Sequence, residues 1–131
     1  MDGLAQQLLG VFFEVNAKRI LIVDNDMHLR ETLVQRLRTR GFDVEAAETA
    51  GNALQKLDAN TYDLVLVDVI LPRQGGTVVV EKVLAARSGT QCIILSGVGE
   101  LWQKANPSVR VAGVIQKPFK FDELLDYVNN S

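Results

Sequence analysis

A single cysteine, Cys92, is all the thiol chemistry this chain of 131 residues holds. It cannot form an intrachain disulfide, and no C-x-x-C pattern exists for zinc. Cys92 lies in the apolar run Cys92-Ile93-Ile94-Leu95, where it reads as a small core residue. The one histidine, His28, has no second His and no Cys with which to share a metal, so it reads as a surface helix residue. No basic excess exists either: the formal net charge is −2 and the pI about 5.4. A face able to hold a nucleic-acid backbone is therefore not expected, which argues against direct DNA or RNA contact. No apolar run approaches the roughly 18 residues of a membrane span, so no membrane insertion is expected. Internal repeats and low-complexity linkers are also missing.

What is present is an ordinary globular composition, 47% hydrophobic and 23% charged, in a length suited to one domain with one core. Two parts are expected: residues 1–17 and a domain over residues 18–131. The first part carries Leu4, Leu8, Leu9, Val11, Phe12, Phe13 and Val15 at the spacing of a short amphipathic helix. It lacks the basic start of a signal peptide, since Lys18 and Arg19 follow its apolar part. It reads as an extra helix packed on the domain or a poorly ordered leader, or alternatively as a homodimer contact.

From Arg19 onward, strand-length apolar runs alternate with helix-period stretches. Strands are predicted at Arg19–Val23, Asp43–Ala47, Asp63–Val67, Gln91–Leu95 and Gly113–Gln116. Helices are predicted at Met27–Arg40, stopped by Gly41, and at Ala50–Ala59, Thr77–Arg87 and Phe121–Asn129. The Val78-Val79-Val80 run weakens the third of these on propensity. Pro107 predicts a stunted or irregular fourth helix within Gly97–Ala112. Continuous apolar strands separated by helices imply a parallel sheet covered on both faces, with right-handed crossovers.

In such a sheet, ligands bind beyond the carboxyl ends of the strands. The residues leaving those ends are Asp24, Asn25 and Asp26, then Asp68, then Ser96, then Lys117. Clustered carboxylates repel unless a cation joins them. Mg²⁺ takes oxygen ligands and phosphate together, Lys117 supplies a mobile positive charge, and Ser96 supplies a hydroxyl. Together these are the parts of a phosphoryl-transfer site, in which a carboxylate can itself be the nucleophile. Singly, each has a plainer reading: turn or helix-cap aspartates, a turn serine, a solvated lysine. Trp102 and Tyr127 read as packing residues.

Together "ILIVDND", "DLVLVDVILP", Gly75-Gly76, "IILSG" and "KPF" make the chain resemble the receiver domain of two-component response regulators, from about Lys18 to Val128. The stretch "ETAGNALQKL" is also similar to that family's second helix. The resemblance implies a flavodoxin-like sheet of order 2-1-3-4-5 with helices on both faces. It implies that Asp68 accepts a phosphoryl group from a sensor histidine kinase or phosphotransfer protein, with Ser96 and Lys117 binding the phosphate. The implied Mg²⁺ ligands are Asp24, Asn25, Asp68 and the Ile70 backbone carbonyl, with Asp26 a further candidate. It implies a cytoplasmic signalling domain, not an enzyme, with helix 1 (near His28 to Arg40) as the kinase-docking face. The Gly97–Ala112 region and the last helix would be target or homodimer faces.

Three departures stand out. Asn25 replaces the family's second acid and brings no charge, which predicts weakened Mg²⁺ binding. Val114 stands where the family commonly carries a rotating Tyr or Phe. Ile70 and Val98, two residues beyond Asp68 and Ser96, place apolar side chains where hydrolytic water would pass. Two other functions compete: a receiver-like module that docks without phosphorylation, and a haloacid-dehalogenase-type phosphatase with Asp24 as nucleophile. With no output domain after Ser131, signalling is expected to run through another, unknown protein, unless the sequence is part of a longer chain.

Overall fold

The computed structural model describes residues 18–131. The helix or leader expected over residues 1–17, with its homodimer contact, lies outside them. The elements are β1 (Arg19–Val23), α1 (Met27–Thr39), β2 (Asp43–Ala47), α2 (Ala50–Ala59), β3 (Leu64–Val67), α3 (Thr77–Ala86), β4 (Gln91–Ser96), α4 (Gly99–Ala105), β5 (Gly113–Gln116) and α5 (Phe121–Asn129). The strands form one parallel sheet in the order β2-β1-β3-β4-β5.

The apolar strands divide by their period of two. Leu21, Val23, Val65, Val67, Cys92 and Ile94 face a core shared with α2, α3 and α4. Ile20, Ile22, Leu64, Leu66, Ile93 and Leu95 face the other core, with Leu33 and Leu37 of α1 and Leu124 and Val128 of α5. Fully burying each such side chain contributes roughly 1.5–3 kcal/mol. This two-sided burial explains why the central strands read as unbroken apolar runs.

Element ends depart from the sequence reading in small ways. Arg40 caps α1 and Gly41 follows at φ +92°. β3 begins at Leu64, although the Asp63 amide still donates to Arg19 and its carbonyl accepts from Gln91. The valine run does form α3, because Val79, Val80 and Val83 are buried and packing outweighs their modest propensity penalty. Arg87, at φ +48°, ends it. The fourth helix is short, as Pro107 predicts. Asn106 closes it and donates its side-chain amide to the Trp102 carbonyl at 2.8 Å. Trp102 is buried against the core and donates Nε1–H to the Thr77 hydroxyl at 2.8 Å, joining α4 to α3.

Candidate functional site

Register places the two decisive acids side by side. Val23 of β1 pairs with Val67 of β3, so the next residue of each strand, Asp24 or Asp68, leaves the sheet beside its neighbour. The Asp68 amide still donates to the Val23 carbonyl at 2.9 Å and the Asp24 amide to Ala47 at 3.1 Å. Both backbones are thus fixed by ladder bonds rather than by a free loop. Lys117 leaves β5 and reaches across the β4 exit. Its Nζ lies 2.5 Å from Asp24 Oδ2 and 2.8 Å from Asp68 Oδ2.

The remaining carboxylate oxygens are held locally. Asp24 Oδ1 accepts the Asp26 amide at 2.9 Å, and Asp68 Oδ1 accepts the Ile70 amide at 2.8 Å. The arrangement is nearly symmetric: each acid is bonded once to a nearby amide and once to the shared ammonium. Access differs. The Asp24 side chain is 2% exposed and that of Asp68 is 10% exposed, so Asp68 is the more accessible of the two carboxylates. Around Lys117, burial is the largest single influence and favours the neutral amine. The hydrogen bonds and charges of Asp24 and Asp68 together outweigh it, and the ammonium is held above its ordinary pKa.

Of the other expected residues, Ser96 is fully buried at the end of β4, and its Oγ accepts the Val98 amide at 3.3 Å. Among the described residues no side-chain hydrogen bond joins it to Asp68 or Lys117. Asn25 is exposed. Asp26 is the N-cap of α1, its Oδ1 accepting the Leu29 amide at 3.2 Å, and it stays out of the carboxylate–ammonium contact. Ile70, whose amide is bonded to Asp68 Oδ1, is an apolar lip residue 61% exposed. Val98 is partly buried in the core, as is Val114.

Three more residues matter here; the sequence marked the first only as half of the Gly75-Gly76 pair and did not single out the other two. Gly76 packs against the Asp68 backbone so closely that a Cβ would sit 2.0 Å from the Asp68 carbonyl oxygen. Arg30 donates to the Asp24 carbonyl at 2.8 Å, tying α1 to the site. Gln116 donates its side-chain amide to the Gly97 carbonyl at 2.5 Å. A paired glycine after a strand is a weak signal for the first. Nothing in the sequence pattern marks the other two.

The donor set fits a hard divalent cation in kind. Two buried carboxylates share one ammonium, with the Arg30 guanidinium reaching only the Asp24 backbone carbonyl, and the unprotonated donors facing the dent are oxygens. Among the described residues no three His, Cys, Asp or Glu side chains cluster as a metal site. A dication here would therefore draw further oxygens from the neutral Asn25, the backbone and water.

A family model for the response regulator receiver domain matches residues 20–129. The transcriptional regulatory protein DltR of Streptococcus agalactiae is 32% identical over 108 residues, covering 82% of this chain and 48% of that protein. The transcriptional activator protein PfeR of Pseudomonas aeruginosa is 31% identical over 111 residues, covering 84% and 36%. The chain thus spans about half the length, or less, of these curated relatives. Among solved structures, a CheY-like receiver domain protein from Methanospirillum hungatei superposes with a TM-score of 0.81 at 33% identity, covering 87% of this chain and 92% of that one. The response regulator TrrA of Thermotoga maritima, solved in complex with Mg²⁺ and BeF, gives 0.78 at 30% identity, covering 86% and 97%. Fold and site together define a doubly wound signalling domain of the two-component class. The chain belongs to the response regulator receiver domain family.

Proposed function

We propose that Asp68 is a phosphoryl acceptor. In this reading a sensor histidine kinase, or a phosphotransfer protein, presents a phosphohistidine to the Asp68 side of the dent. A carboxylate oxygen of Asp68 attacks phosphorus; the P–N bond breaks and its electron pair returns to the imidazole. Lys117 then follows the new negative charge, and Ser96 can turn its hydroxyl toward a phosphoryl oxygen. The observation that carries the reading is the inequality of the two acids: both meet the same ammonium, but Asp68 alone keeps an opening. Asp24 is bonded as Asp68 is but is nearly sealed, which makes it the worse placed of the two to be the nucleophile of a phosphatase.

Mg²⁺, when bound, would neutralise phosphoryl oxygens during transfer. Asp24, Asn25, Asp68 and the Ile70 carbonyl would hold it; Asp26, engaged as a cap, is the weakest of the candidates. Opposite unit charges about 4 Å apart at an effective dielectric near 20 interact by roughly 4 kcal/mol before desolvation. Asn25 forfeits that attraction, so Asn25→Asp should tighten Mg²⁺ binding by at least about tenfold in a calorimetric titration. The apolar Ile70 lip and Val98 hinder hydrolytic water, and the phosphoryl group should outlast seconds.

The kinase would meet α1, and an unknown downstream protein would read the α4 and α5 faces. The named relatives are transcriptional regulators about twice as long or longer, so the proposal of no direct nucleic-acid contact concerns residues 18–131 alone. No helix among the described residues is long and apolar enough to cross a membrane. A second reading, docking without phosphorylation, is favoured by the neutral, exposed Asn25. Acetyl phosphate plus Mg²⁺, read by intact mass, separates the two. A phosphate-sized gain in the parent and none in Asp68→Ala supports the acceptor; no gain in either supports docking alone.

A further inference from the structure

The segment that follows Ser96 is gripped from β5. Ser96 pairs with Gln116 across the β4–β5 ladder, and the Lys117 amide donates to the Ser96 carbonyl at 3.1 Å. Val114 and Gln116 point to the same sheet face. A Cβ on Gly99 would lie 2.7 Å from Val114 Cγ1 and 4.0 Å from Gln116 Oε1, so the start of α4 fits closely against both side chains. Gly97 is different: among the described residues nothing lies within 4 Å of a Cβ placed there, and its carbonyl is held there only by the 2.5 Å bond from the Gln116 amide. One residue earlier, Ser96 Oγ is occupied by the Val98 amide at 3.3 Å, a long bond for its kind.

These contacts are linked. The Ser96 O–H is free to donate, but if reaching a phosphoryl oxygen on Asp68 swings Oγ to a new rotamer, the Val98 amide loses its acceptor. A donor left unpaired in a half-buried turn is costly, so residues 97–99 must move as Ser96 turns. The side chain opposing that movement is Gln116, because it fixes the intervening carbonyl. We propose that Gln116 is a positioning residue: through Gly97 it holds Ser96 Oγ on the Val98 amide and sets the cost of re-aiming it toward Asp68. This rests on the reading of Asp68 as phosphoryl acceptor. It also supplies a route by which a domain with Val114 in place of an aromatic couples the dent to α4.

Gln116→Leu keeps the bulk and removes the donor; Gln116→Asn keeps the donor on a shorter arm. In the free protein, amide hydrogen exchange at Val98 should quicken in Gln116→Leu by about threefold to tenfold, the range that a net intramolecular hydrogen bond is worth. Exchange in the β1 and β3 core should not change. Beryllium fluoride with Mg²⁺ then serves as a phosphoryl mimic, followed by the amide resonances of residues 96–99. Gln116→Leu should bind it about threefold to tenfold more tightly than the parent, and Gln116→Asn should fall between. Unchanged Val98 exchange overturns the tether. Faster exchange with equal affinity for the mimic overturns its role in positioning Ser96. If parent and variant both fail to bind the mimic, the link to Asp68 falls with the acceptor reading, while the exchange result still decides whether the tether exists.

Discussion

The inner dent and its outer lip are built from adjacent residues and obey different rules. Inside, the buried Asp24 and Asp68 and the half-buried Lys117 are joined through the ammonium and placed by strand register. Outside, Asn25, Asp26, Met27 and Ile70 are exposed and answer to local needs: a helix cap, a neutral amide, an apolar edge. The inner three are the parts this chain shares with its family pattern, and the departures at Asn25 and Ile70 sit on the lip. In the proposed reading the general chemistry is therefore set by the sheet, whereas the strength of cation binding and access of water would be set by side chains that the fold leaves free to vary.

The comparison breaks most severely by removing the shared cation. Lys117→Met strands two buried carboxylates and should cost about 3 kcal/mol in urea unfolding. Asp68→Asn removes one of two like charges and should change stability by no more than about 1 kcal/mol. Equal losses for the two variants would mean that the acids are not competing for one ammonium. Next is Gly76→Ala, whose methyl meets backbone rather than a movable side chain; a loss of about 2–3 kcal/mol is expected, with shifted amide resonances at Asp68 and Val69. A loss under about 0.5 kcal/mol would show that the approach is looser than it stands here.

The lip gives smaller effects. Asp26→Ala should lose about 1 kcal/mol through the α1 cap whether or not Mg²⁺ is present, and Asn25→Ala should stay within about 0.5 kcal/mol in metal-free buffer. A penalty at Asp26 that appears only with Mg²⁺ would make it a ligand instead. The smallest signature is a pH limb. Because Lys117 is held above its ordinary 10.5, its contribution is fully present below that pH and fades as pH rises through the folded value. The stability difference between parent and Lys117→Met should therefore be flat to about pH 10 and shrink above it.

Much of the inner dent was legible in the sequence, because buried parallel strands leave continuous apolar runs that end abruptly in polar residues. The order of Asp24, Asp68, Ser96 and Lys117 along those ends foretold their shared rim. Lys117 alone looked like any surface lysine, and only the sheet order gives it two acids. Asp26 was ambiguous for a physical reason: an acid after a strand serves equally as a cap or a ligand, and geometry alone assigns the cap. Gln116 was unreadable, since a cross-loop amide bond leaves no periodic trace, and Gly76 showed only as half of a glycine pair, without its close backbone approach. The end of α4 was foretold by Pro107, whereas the α3 valines form helix because Val79, Val80 and Val83 are buried in the core on one face of the sheet.

The account depends most on which carboxylate takes phosphate, since Asp24 and Asp68 differ in little besides access. Treating the intact chain with acetyl phosphate and Mg²⁺, reducing the acyl phosphate with borohydride and mapping the resulting homoserine by peptide mass spectrometry decides it. The label should fall at position 68. Label at position 24 would contradict the acceptor assignment and the reading of the dent built on it.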